Sequence, residues 1–399
     1  MKKTTKIILI SAAFFLFVNH GFSQLNLDSN FTYQANSSAI KALKMQSSSI
    51  PFLGETNLMY NSGHVNSWYK DYQLNFGQSI NNPITSIKLK AYKTQEFQSQ
   101  NLEIDFSNNQ LRKEWLIKTL EQAYYLEQLK CMSELFSAIQ KADSTLKLRV
   151  ELGLNSNIDR LSINLLKGNI MLKIQQLNSE LLNIQASLKL LNPGYNSIPN
   201  SNILFDLDFV THFELSSDKQ LIVSIQESKI KSLENYREFQ KSNSLPRLQI
   251  GLTQQSFQGF QTINNREVFF NNQKPFHSVQ FGLSAPIFLN GLRKNQRSLN
   301  HQIESENYKL QSAKLAVELK LQEVNSQLNL STETLNKFVP ELRNLLVQTK
   351  EIVLMKIQQQ NLDPIEIARI IEQQADLNWS INEAYFTFQI NRINQKLNQ

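Results

Sequence analysis

Between Ser86 and Leu152 the chain runs for 67 residues without a proline or a glycine. Proline breaks an α-helix and glycine weakens it, so the segment is expected to be one continuous helix. At ~1.5 Å per residue it would be about 100 Å long, roughly three times the ~30 Å hydrocarbon thickness of a bilayer. A helix of that length is not an ordinary element of a soluble domain. A second long stretch runs from Leu292 to Gln360 and contains one proline, Pro340, where a kink is expected. With only 11 glycines and 9 prolines in 399 residues, the chain lacks the turn residues that an all-β protein of this length needs.

Apolar residues recur at alternating spacings of three and four in three places. Val317, Leu321, Val324, Leu328, Leu335, Phe338, Leu342, Leu345 and Ile352 form one stripe, in which Ser331 and Thr349 are the polar exceptions. Ile163, Leu166, Ile170, Ile174, Leu177, Leu181, Ile184, Leu188 and Leu191 form a second, and Ile367, Ile370, Leu377, Ile381, Ala384 and Phe388 a third. This is the seam of a coiled coil. Its plain meaning is core packing, and its information lies in its length.

Strands of a different kind precede each long helix. Tyr72, Leu74, Phe76 and Ile80 alternate with Gln73, Asn75, Gly77 and Ser79. Val279, Phe281, Leu283, Ala285 and Ile287 alternate with Gln280, Gly282 and Ser284. Period 2 means a strand with one apolar and one polar face. Each has an upstream partner: Thr56–Asn61, followed by a turn at Asn61-Ser62-Gly63, and Arg247–Thr253, followed by a longer loop from about Phe257 to His277. The aromatic residues of that loop, Phe257, Phe260, Phe269 and Phe270, are expected to pack it, with a lumen plug or an interfacial aromatic group as alternatives.

The order strand, strand, helix, turn, helix thus occurs twice. The first helical turn is Leu152–Asp159, with Gly153 ending one helix and Asn157 or its neighbours capping the next. The second is Gln360–Glu366, with Asp363 as N-cap and Pro364 as first helical residue. Gly77 to Asp159 is 82 residues and Gly282 to Glu366 is 84. A true duplication is expected: residues 24–210 with strands at about 56–61 and 72–80 and helices at about 83–152 and 157–191, then residues 211–399 with a helix at about 214–241, strands at about 247–254 and 279–288, and helices at about 292–359 and 364–397. The fold class is mainly α with a small β part.

The first residues address the compartment. Lys2, Lys3 and Lys6 precede an apolar run, Ile7–Val18, and the small residues Gly21 and Ser23. This reads as a secretory signal peptide, residues 1–23, because the run is shorter than the ~18 residues that a spanning helix needs. No other apolar stretch of that length follows, so any entry into a membrane must be by β-strands. Cys131 is the only cysteine, so no internal disulfide forms. A net charge of +7, of which three charges belong to the signal, gives no argument for nucleic acid. The five histidines are scattered, with no His-x-x-x-His, Cys-x-x-Cys, phosphate loop or nucleophile elbow. No enzyme activity, cofactor or bound metal is expected.

Two hairpins supply four strands, and four cannot close a barrel, while open edges are not tolerated in lipid. Strands pooled from three copies would make twelve. The alternative is a structural or adhesive periplasmic coiled coil, which leaves the amphipathic strand pairs without a purpose.

The signal, the duplicated order and the turns resemble the TolC family of outer-membrane efflux proteins. Gly153 followed by Ile158-Asp159 looks like that family's G-x-x-x-x-x-D turn, Leu362–Glu366 looks like its second turn, and Val339-Pro340 looks like a family feature. Leu245-Pro246-Arg247 to Gln254, with Gln280–Phe288, is similar to the outer-membrane partners of heavy-metal pumps of the resistance–nodulation–division type. The resemblance implies a homotrimeric, passive exit duct in the outer membrane with a periplasmic extension, docked on a periplasmic adaptor and an inner-membrane pump. It makes Gly153, Asp159, Asp363 and Glu366 candidates for the periplasmic tips, where the acids would either form charged rings or simply cap and flank helices. Two departures stand out. Gln360 replaces a usual glycine, and residues 28–50 are too short and Ser-rich to match the helix before the second hairpin, so the first helix is expected to be truncated or remodelled.

Overall fold

The computed structural model describes residues 30–48, 53–66, 69–80, 82–193, 201–213, 216–263, 266–284, 290–358 and 364–398. The signal segment lies outside them. In order, the elements are α1 (Phe31–Ser48), β1 (Leu53–Asn66), β2 (Tyr69–Ile80), α2 (Pro83–Glu151), α3 (Asn157–Leu191), two short 3-10 turns (Ser201–Leu204 and Phe209–His212), α4 (Asp218–Ser242), β3 (Arg247–Ile263), β4 (Arg266–Ser284), α5 (Asn290–Glu333), a π-helical turn (Thr334–Phe338), α6 (Val339–Gln358) and α7 (Pro364–Asn398). Among the described residues no helix is long and apolar enough to cross a membrane. The chain divides into two compact units, and α2 and α5 each contribute residues to both.

One unit holds the four-stranded sheet with the adjoining parts of α1, α2, α4 and α5 (Ser37–Ile104 and Ile222–Lys314). The strands pair antiparallel in the order β1-β2-β3-β4. The start of α2 and the end of α4, both next to the sheet in sequence, are tied together: Thr85 Oγ1 donates to the Ser242 carbonyl at 2.9 Å. Tyr92 lies against Tyr236, with ring centroids 5.0 Å apart, and donates to Glu96. Burial, and after it the Glu96 carboxylate, push the Tyr92 hydroxyl up to about 12.

The strands exceed their expected lengths. The turn expected at Asn61–Gly63 is strand, with Asn61 opposite Gln73 and Gly63 opposite Asp71. The loop expected from Phe257 to His277 is also strand: β3 and β4 stay paired to Ile263 and Arg266, past a bulge at Gln255–Phe257. A ladder that is already in register gains a hydrogen bond for each added pair, which here outweighs weak local propensity. Two asparagines, Asn264 and Asn265, separate the strands in sequence, and Asn is a residue that tolerates hairpin turn geometry. Residues 31–48 do form a helix. Asn30 starts it by accepting from the Tyr33 amide at 3.0 Å, and α1 is 18 residues long against 25 in α4.

The other unit is helical. Trp115, Leu116, Leu120, Leu188, Phe209, Ile393 and Leu397 belong to one core cluster. Met132, Ile139, Leu146, Ile163, Ile170, Ile367 and Ile371 belong to the next. Both clusters join α2, 69 residues long, with α3 and α7, 35 residues each, as the apolar stripes of amphipathic helices require. On α3 the seam read from spacing supplies the buried residues, Ile163, Ile170, Leu177, Leu181, Ile184 and Leu188. On α7, Ile367 and Ile381 of the expected stripe are buried, the rest of the buried line runs through Ile371, Ala375, Asn382, Gln389 and Ile393, and Ile370, Leu377, Ala384 and Phe388 fall beside it. That spacing is nearer the undistorted 3.6-residue turn than the 3.5 of a strict heptad.

The α5–α6 seam changes phase. Val317, Val324 and Ser331 are buried as the heptad requires. From the last residue of the π-turn onward, Phe338 and Leu345 are exposed and Val339 is only 2% exposed. One extra residue in the turn moves one side of the later seam on by one, so that Val339, Leu346 and Val353 replace Phe338, Leu345 and Ile352, while Leu342 and Thr349 keep their half-buried places. Pro340 explains its location. The proline has no N–H and its ring crowds the preceding carbonyls, and the Val339 amide bonds to the Thr334 carbonyl, five residues back.

A buried polar knot fixes the start of α4 in this unit. Asn109 donates to Asp218 at 2.6 Å and to the Ser216 carbonyl at 2.9 Å, and Gln110 donates to the other Asp218 oxygen at 2.8 Å. Asn109 and Asp218 are both buried, so each needs the other.

Candidate membrane face and helical tip

Registers place every residue of the sheet on one of two faces. Leu58 lies opposite Phe76, Phe76 opposite Leu252, and Leu252 opposite Val279, which makes one apolar row across four strands. A second apolar row on the same face is Ile80, Leu248 and Leu283. Between them Ile250 and Phe281 are joined by Thr56 and Gln78, which satisfy each other by a 2.6 Å hydrogen bond. Tyr60, Leu74 and Tyr72 continue the face towards the strand turns. The side chains are not covered: Leu58 is 70% exposed, Phe281 73% and Leu283 77%.

The opposite face is polar. Its rows are Asn57, Gly77, Gly251 and Gln280, and then Met59, Asn75, Thr253 and Ser278. β1 and β4 are open edges. An exposed apolar face of this extent on a soluble monomer is an aggregation hazard. The same face suits lipid once the edges are paired.

The α2–α3 turn is built from local chemistry. Gly153 takes φ +73, the left-handed conformation that a side chain disfavours. Its amide bonds to the Val150 carbonyl and that of Leu154 to the Arg149 carbonyl, which satisfies the last carbonyls of α2. Ser156, the neighbour of Asn157, caps α3: its Oγ accepts from the Asp159 amide, and the Asp159 carboxylate accepts from the Ser156 amide at 3.0 Å. Asn155 Nδ2 donates to the same carboxylate at 3.3 Å. The backbone N–H of Ser156, and then the Asn155 and Ser156 side chains, hold this carboxyl below its usual range. Asp159 is therefore engaged in its own cap. Glu366 is exposed in the first turn of α7, which Pro364 opens. Its neighbour Ile367 packs in the same cluster as Leu146 and Ile163, so the cores beside the two turns are one. Asp363 and Gln360 lie outside the described residues.

Neither a family model nor a curated protein sequence matches the chain. Solved structures do. The outer membrane protein VceC of Vibrio cholerae aligns over 93% of this chain and 92% of its own, at 9% identity and a TM-score of 0.70. The Neisseria gonorrhoeae MtrE outer membrane channel aligns over 93% and 86%, at 10% identity and a TM-score of 0.69. The Campylobacter jejuni CmeC outer membrane channel aligns over 92% and 83%, at 10% identity and the same TM-score. The chain has the fold of these outer-membrane channels.

Sequence reasoning overlooked two features of this channel fold. A cavity of about 370 Å³ is lined by Glu134, Ala138, Lys141, Leu146, Val353 and Ile371, a mixture of apolar floor and charged rim. Part of its wall comes from α6 in the shifted phase, which heptad counting cannot find. The second feature is the strand pairing at the far end of the β3–β4 hairpin, where Phe260 and Phe269, expected to pack a loop, meet across the ladder with rings tilted by 60° and centroids 4.9 Å apart. The Asn264-Asn265 pair between the two strands was the available signal.

Proposed function

We propose that this chain is the outer-membrane exit duct of a tripartite efflux system, a passive conduit without catalysis. The observation that carries the reading is the four-stranded sheet with one exposed apolar face, one polar face and two open edges. Such a sheet satisfies its edges by pairing β4 of one copy with β1 of the next. Three copies give twelve strands, which by interpolation between small barrels and porins enclose a water-filled lumen lined by the polar face. The long α2–α3 and α5–α7 helices continue the conduit into the periplasm. Solved channels with this fold support the reading. A periplasmic adaptor would meet the helical tips near Gly153 and Glu366, where the charged rim of the cavity offers polar contacts, and an inner-membrane pump of the resistance–nodulation–division type would supply the energy.

For cargo we carry forward heavy-metal cations, on the resemblance of Leu245–Gln254 and Gln280–Phe288. Averaged electron-microscope images of the detergent-extracted protein test the assembly. A three-fold particle with a short barrel and a stalk near 100 Å is expected, and a thin rod or compact monomer would sink the duct. Deletion of the gene, followed by growth on graded metal salts and on organic toxicants, tests the cargo.

A further inference from the structure

The segments 83–93 and 290–300 open the two helices that leave the sheet. Together they carry Lys88, Lys90, Lys93, Arg293, Lys294 and Arg297, and no acid. Lys88 and Arg293 are repeat-equivalent, each 11 residues beyond its strand glycine, Gly77 or Gly282. The other helices with charged first turns have acids there: Asp159 in α3, Asp218 in α4, Glu341 in α6 and Glu366 in α7. α2 and α5 have none. The helix dipole disfavours cations only in the first turn, which Arg293 alone occupies; all six lie in segments without an acid, so their counter-charge has to come from outside those segments.

The protein supplies little of it. Lys93 pairs with Glu96 at 3.0 Å. Lys90, Arg293, Lys294 and Arg297 are exposed and make no ion pair among the described residues. One turn before Lys90 stands Ile87, 66% exposed, and one turn earlier Ile84, 53% exposed. Exposed apolar residues followed by cations therefore open α2 directly after β2 in sequence. The opposite end of the strands is balanced, with Lys70 followed by Asp71 and Arg266 by Glu267.

We propose that Lys90, Arg293, Lys294 and Arg297 form a belt that binds the headgroups of anionic phospholipids, in the leaflet from which the helices emerge. The inference rests on the membrane-spanning reading of the sheet. Acyl chains lie against the apolar face that carries Leu58, Phe76, Leu252 and Val279, and the phosphates meet the cations just beyond the strand ends. Guanidinium groups take phosphate in a paired geometry, and cations at this level attract anionic lipid.

The test is native mass spectrometry of the detergent-purified full-length protein, titrated with phosphatidylglycerol or phosphatidylcholine, and with inorganic phosphate as competitor. The wild type is expected to retain phosphatidylglycerol preferentially. R293Q/K294Q is expected to lower that preference roughly tenfold, and R266Q at the far end to leave it unchanged. Equal retention of the two lipids, a preference unaltered in R293Q/K294Q, or displacement by inorganic phosphate would overturn the belt. So would a changed oligomeric state in R293Q/K294Q, which would assign the cations to contacts between copies. Insertion into neutral phosphatidylcholine vesicles is scored separately. Its failure in the wild type would remove the membrane reading itself, whereas success with no lipid preference would remove only the belt.

Discussion

Phe76 and Leu252 stand directly opposite each other in the β2–β3 ladder, where the first half of the chain pairs with the second. The apolar face is continuous across the duplication because these two residues share it. A lysine at Leu252 would put a charge at the middle of that face, at a cost of about 2–4 kcal/mol in lipid. Lysine at Gln249, on the polar face, should cost little. Denaturant unfolding of the protein from vesicles measures both, and equal penalties would contradict the assignment of faces.

Gly153 and Gly168 are both open to solvent on the side where a Cβ would sit, yet they should respond in opposite ways. At Gly153 the strain is in the backbone, φ +73, so Gly153→Ala should destabilise the turn by about 1 kcal/mol. Gly168 lies inside α3, and a methyl group added there would meet nothing within 4 Å, so Gly168→Ala should stabilise by about 0.5–1 kcal/mol. Thermal denaturation of the two variants side by side checks the signs.

Asp159 caps α3 as a carboxylate, and its pKa is depressed in the folded state. The cap is therefore at full strength above the unfolded value near ~3.9 and is lost as pH falls through the lower folded value. Hydrogen exchange at residues 156–162 should accelerate only in the acid range below about pH 4, and D159A should show the fast exchange already at neutral pH. A cap that loosens between about pH 5 and 7 would point to a different group, since that is where histidine titrates.

The phase shift after the π-turn separates two neighbouring residues. Val339→Asn should cost about 1.5–3 kcal/mol, because Val339 is buried. Phe338→Asn should stay within about 0.5 kcal/mol, because Phe338 is 55% exposed. An unbroken heptad predicts the reverse order.

Asp218 and Asn109 test the buried knot. Asp218→Ala leaves the Asn109 amide without its 2.6 Å acceptor, at a cost of about 1–3 kcal/mol. Local exchange at the start of α4 should rise with it. Unchanged protection there would mean that the bond does not hold the helix.

Much of this was legible in the chain itself. The proline-free stretch before Leu152 set the length of α2, because nothing local stops a helix there until Gly153. Alternation at Tyr72–Ile80 and Val279–Ser284 assigned the faces, because period 2 leaves a strand no other choice. The Asp159 and Glu366 turns could be found by their spacing from Gly77 and Gly282.

Other features depended on distant partners. Asn61–Gly63 looks like a turn in isolation and is strand because β2 extends the ladder past it. Val339 rather than Phe338 enters the core because Pro340 forces an extra residue into the preceding turn and α7 packs against what results. The role of Asp159 was not legible either: whether an acid near a helix start caps its own backbone or faces outward is decided by a rotamer. The sequence alone determined periods and lengths, since those follow from local geometry. Tertiary structure decided register, phase and side-chain partners, since those are settled by which neighbour comes within hydrogen-bonding or packing distance.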